Sequence, residues 1–71
     1  MTIFFNKKFY SLEAIKKTIK AYKKVAVFKL KEKKNNFEVN IDEVDKDIKA
    51  LIKDEFCNYV LAENKRLNSS F

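Results

Sequence analysis

Apolar and polar positions along this chain repeat with two different periods, and the order of those periods predicts the fold. TIFFNKKFY, from Thr2 to Tyr10, opens with β-branched and aromatic residues and favours a strand. Leu12, Ile15, Ile19 and Tyr22 then recur at spacings of three and four, one face of a helix, with Lys16, Lys17, Lys20, Lys23 and Lys24 on the other side. Ser11 is the natural N-cap of that helix, and Glu13 in its first turn complements the helix dipole.

Two alternating runs follow. Ala26, Phe28 and Leu30 alternate with Val27, Lys29 and Lys31, and Phe37, Val39 and Ile41 alternate with Glu38, Asn40 and Asp42. Each run offers one apolar face to a core and one polar face to water. The chain has neither Gly nor Pro, so Asn35 and Asn36 are expected to supply the left-handed conformations of the hairpin turn at residues 33–36. A last helix is expected from Asp45 to about Arg66, about 20 residues or ~30 Å.

The resulting order is β-α-β-β-α. A helix between the first two strands implies a right-handed crossover, which puts both helices on one face of a three-stranded sheet. The expectation is a two-layer α+β sandwich over residues 1–67, with 68–71 a frayed tail. Strand order 1-3-2, a ferredoxin-like sandwich lacking its last strand, is favoured over 1-2-3. That order leaves the first strand as an open edge.

The last helix carries more apolar surface than one sheet needs. Stepping about 100° per residue puts Ile48, Ile52, Phe56, Tyr59, Val60 and Leu67 in one broad stripe, read as the core side. Cys57 and Leu61 fall outside it, and no charged residue lies between Glu55 and Glu63. Two explanations stand: stray apolar residues on a solvent face, or a helix covered on a second side by another copy or another protein. Asn58 is either solvated or a buried amide that penalises wrong registers.

Composition narrows the chemistry. There is one Cys and no His among 71 residues, so a disulfide within the chain is impossible and no metal or cofactor is expected. Cys57 sits beside Asp54 and Glu55, which disfavour a thiolate, so a catalytic cysteine is not expected. Asp42, Glu43, Asp45 and Asp47 lack the spacing of a calcium loop and read instead as a helix start. The unpaired thiol and the lack of a membrane-length apolar run point to a cytoplasmic protein with no membrane partner.

The formal net charge of +6 is unevenly spread. Residues 1–34 hold eleven lysines against Glu13 and Glu32, while residues 35–71 hold five basic and eight acidic residues. A coding bias toward Lys, Asn, Ile and Phe explains this as well as a functional surface does. The functional version is a small basic nucleic-acid-binding module using Lys16, Lys17, Lys20, Lys23 and Lys24, weak and salt-sensitive because nearly all its cations are lysines. Stacking of bases on the open sheet is disfavoured by Glu38, Asn40 and Asp42, with Phe4 the sole aromatic that a strand could turn outward.

Tyr10, Ser11, Glu13, Ala14, Ile15 and Tyr22 in FYSLEAIKKTIKAY, together with Phe56, Cys57, Asn58, Leu61 and Arg66, resemble the HxsD family of small proteins from the His-Xaa-Ser peptide-modification system. Tyr59 and Ala62-Glu63 depart from the acidic residue and Leu-Arg that the family commonly has after its Asn. The resemblance implies a non-catalytic accessory protein acting beside a radical SAM maturase and its peptide substrate. Phe56, Cys57, Asn58 and Leu61 are the expected protein-interface residues.

Overall fold

Each run with a period of two becomes a strand, and each run spaced by three and four becomes a helix laid against the resulting sheet. The structure is a computed structural model that describes residues 1–68. Its elements are β1 (Thr2–Asn6), α1 (Leu12–Tyr22), β2 (Val27–Glu32), β3 (Asn36–Asp42) and α2 (Ile52–Asn68).

The sheet order is β1-β3-β2, and both outer strands run antiparallel to β3. β1 and β2 are therefore parallel to one another and joined through α1, as in a ferredoxin-like α+β sandwich without its last strand. Register lines up Ile3, Val39 and Leu30 as one inner row, with Phe5 beside Phe37 and Phe28 beside Ile41. Those residues face the helices. The alternate rows, Phe4-Glu38-Lys31 and Thr2-Asn40-Lys29, form the outer face.

Burial follows from this register. Ile3, Phe5, Phe37, Val39 and Ile41 from the sheet meet Ala14 and Ile15 of α1 and Ile52, Phe56 and Val60 of α2. Phe56 is the hub: its ring stacks on Phe28 at 5.1 Å and lies 6.2 Å from Phe5 and 6.3 Å from Tyr22. The one buried hydroxyl of α1, on Thr18, donates to the Ala14 carbonyl at 2.8 Å, which removes the cost of burying it. At one end of the inner face Lys7 reaches Glu32 at 2.8 Å and lies over the Phe37 ring. Both partners are partly solvated, so this pair contributes at most about 1 kcal/mol.

Ser11 caps α1 as its sequence predicts, its Oγ accepting from the Ala14 N–H at 3.1 Å. Three local expectations are corrected. The last helix begins at Ile52 rather than Asp45, after turns through residues 46–51. In its place the Ile48 N–H donates to the Asp45 carbonyl at 3.1 Å and the Leu51 N–H to the Ile48 carbonyl at 2.9 Å, turns that close over three residues, and the Asp45 carboxylate caps the first of them by accepting from the Asp47 N–H at 3.1 Å.

Secondly, neither Asn35 nor Asn36 takes a left-handed conformation, and the turn closes by the Lys33 N–H donating to the Asn36 carbonyl at 2.8 Å. Among the described residues the positive φ falls on Glu43, at 48°, where β3 ends. Thirdly, Asn68 belongs to α2 and not to a tail, and residues 69–71 lie outside the described residues. No helix among the described residues is long and apolar enough to cross a membrane.

Candidate functional site

Of the four residues expected to form a protein interface, the structure divides one from the other three. Phe56 is fully buried in the protein's own core, so it shapes α2 from within and offers no surface. Cys57 is half-buried against the core, Asn58 is exposed, and Leu61 is 42% exposed. The reason is direction: the stripe facing the sheet is centred on Ile52, Phe56 and Val60, and the other three lie beside or behind it.

Tyr59 also leaves the core. It is 38% exposed and packs edge-on against Tyr22 of α1, with ring centroids 5.5 Å apart. That contact identifies the flank of α2 that faces α1. Cys57 is two positions earlier, about 200° around the helix, and so belongs to the opposite flank. Burial raises the Cys57 thiol above its ordinary pKa, and Asp54 adds to this while Lys53 opposes it. The thiol form is thereby favoured at neutral pH, which suits a packing group better than a nucleophile.

The buried amide of α2 is Asn64, not Asn58. Asn64 is 7% exposed; its Oδ1 accepts from the Ser11 N–H at 2.9 Å and its Nδ2 donates to the Phe9 carbonyl at 2.6 Å. One side chain thus ties the end of α2 to the corner between β1 and α1. The signal for it was present in the sequence: Asn64 continues the ladder of Ile52, Phe56 and Val60 at steps of four. Cys57 and Asn64 are seven residues apart and share a flank, so the Cys57–Leu61 flank lies on the β1 side of the molecule.

β1 is an edge strand. Among the described residues it pairs with β3 alone. Met1 and Ile41 exchange backbone bonds and the Lys7 N–H donates to the Asn35 carbonyl, which sets the phase of the ladder. In an antiparallel pair the bonded positions alternate, so Thr2, Phe4 and Asn6 direct their N–H groups to the open side. Phe4 is turned outward, 61% exposed, between no apolar neighbours on its row.

The second candidate surface is also formed. Lys16, Lys17, Lys20, Lys23 and Lys24 are all exposed, and the first three line a shallow groove with Leu12 and Glu13. Glu13 lies 3.9 Å from Lys17, a solvated pair of little energetic weight. Among the described residues no three acidic or cysteine side chains gather as a metal site. Comparison with protein-family models, with curated proteins and with solved structures finds no match.

Proposed function

We propose that this chain is a non-catalytic adaptor that works by binding protein, through the α2 flank of Cys57, Asn58 and Leu61 beside the open β1 edge. One observation carries the reading. α2 meets the sheet through Ile52, Phe56 and Val60 and meets α1 through Tyr59, and Leu61 stands outside that core with 42% of its surface exposed. An apolar flank left over on the same side as an unpaired strand edge is a surface of the kind that β-addition and helix packing both use.

The resemblance of residues 10–22 and 56–66 to the HxsD family supports a peptide-maturation enzyme or its precursor peptide as partner, alongside self-association. A photo-reactive amino acid in place of Leu61, irradiated in the native host, tests the reading. An adduct of twice the chain mass marks self-association and a larger defined adduct marks a host protein, whereas no adduct contradicts the assignment. The lysine face of α1 gives the competing reading. It predicts binding to RNA or DNA that weakens steeply with salt, and no binding at low salt removes it.

A further inference from the structure

The partner of the β1 edge can be identified from the edge's own chemistry, and the identification rests on the protein-binding reading above. Between Thr2 and Asn6 the strand has no charged side chain and no proline, so nothing in it blocks pairing. It is also close to symmetrical about Phe4: small polar residues at Thr2 and Asn6 flank it on the outer face, and Ile3 and Phe5 flank it on the inner face. Ile3 and Phe5 are 7% and 3% exposed, so the inner face is already closed and the strand is held ready in an extended form. The other edge is guarded. β2 carries Lys29 and Lys31 within the strand, which would stand opposite like charges in an antiparallel self-pairing, whereas the lysines of the first segment, Lys7 and Lys8, lie beyond β1.

We infer that β1 pairs with β1 of a second copy of this chain, antiparallel about a two-fold axis through Phe4, to give one six-stranded sheet in the order β2-β3-β1-β1-β3-β2. Phe4 stands opposite its counterpart, and each donates its N–H to the other's carbonyl. On either side of the axis the Asn6 N–H meets the Thr2 carbonyl of the other copy. The Asn6 carbonyl is already taken by the Phe9 and Tyr10 N–H groups, which ends the pairing there. The two exposed Phe4 rings cover each other on the outer face, the aromatic cross-strand pair that neither copy has alone. The axis also brings the two Cys57–Leu61 flanks toward one seam, so a single contact occupies both unused surfaces.

Light scattering on the full chain tests this with two β1 variants. Phe4→Pro removes the outward N–H and keeps every bond to β3, because proline is tolerated on an edge strand. Phe4→Lys keeps the backbone and sets like charges across the axis. The expected result is twice the chain mass for the native chain and a twofold drop for both variants, each with native circular dichroism. If Phe4→Pro fails to fold, Phe4→Lys carries the test alone. A native chain at single mass at all concentrations overturns the pairing, as does a double mass that survives a folded Phe4→Lys or Phe4→Pro variant. The photo-reactive residue at position 61 separates the two failures, since a host-protein adduct from a single-mass chain leaves the adaptor reading standing.

Discussion

β1 and β2 flank the same central strand, yet they treat their open sides differently. β1 has no charge from Thr2 to Asn6, and its inward residues Ile3 and Phe5 are buried. β2 alternates Lys29 and Lys31 with Phe28 and Leu30, which remain half-buried. An uncovered edge invites pairing with any other chain, and charge on it is a common protection. The contrast is one of chemistry: the β2 edge carries lysines that oppose self-pairing, and the β1 edge carries none between Thr2 and Asn6, which is the basis of the pairing proposed above. The uncharged edge lies on the same side of the molecule as the Cys57–Leu61 flank of α2, which is why the proposed contact joins strand and helix.

The largest expected effect falls on what both edges share. Phe56→Ala removes the ring touching Phe5 of β1, Phe28 of β2 and Tyr22 of α1, and a loss of about 3–5 kcal/mol is expected. For a domain this small that is most of its stability, so the variant should be largely unfolded by circular dichroism in water. A cooperative urea transition near the native midpoint would show that Phe56 is not the hub.

Asn64→Ala acts at the corner where β1 leads into α1, away from β2. It strands the Ser11 N–H and the Phe9 carbonyl, and a loss of about 2 kcal/mol is expected from the urea midpoint. An equal alanine substitution at the exposed Asn58 should change stability by less than about 0.5 kcal/mol. Equal effects at the two positions would reverse the assignment of the buried amide.

Glu43 closes the central strand and serves both edges alike. Its φ of 48° strains a residue with a β-carbon, so Glu43→Gly should raise stability by up to about 1 kcal/mol, read as a rise in melting temperature. A fall would mean that the Glu43 side chain has a role the backbone does not explain. The smallest change in fold stability, under about 0.5 kcal/mol, is expected for Lys29→Thr with Lys31→Thr, both exposed on the outer face. Its effect is on association: with the guard removed, species above twice the chain mass should appear at high concentration. An unchanged mass would mean that these lysines reflect composition rather than protection.

Much of this architecture was legible before the structure because it depends on local pattern. The order of elements followed from the order of periods, the strand order β1-β3-β2 is the favoured of the two left open by it, and the cap of α1 followed from Ser11 standing one residue before an apolar helix face. What failed is what a period alone does not distinguish. Residues 45–51 close turns over three residues, a spacing that a helix shares, so the start of α2 at Ile52 is not encoded by the periodicity. Phe56 enters the interface set through the Phe-Cys-Asn motif of the family resemblance, while its place in the apolar stripe already put it on the core side, where the structure has it. Asn64 was legible in principle, as a polar step on an apolar ladder, but a polar residue there has two readings until its partners are known. Tyr59 failed for a related reason, since the edge of a broad stripe can face the sheet or the neighbouring helix equally well.

Amide hydrogen exchange across a concentration series tests the inequality of the two edges most directly. Phe4 and Asn6 on β1, and Phe28 and Leu30 on β2, all direct their N–H groups away from β3 by the phase of the ladder. Exchange at Phe4 and Asn6 is expected to slow as concentration rises, while Phe28 and Leu30 exchange fast throughout. Equally fast exchange on both edges at every concentration, or slowing confined to β2, would contradict it.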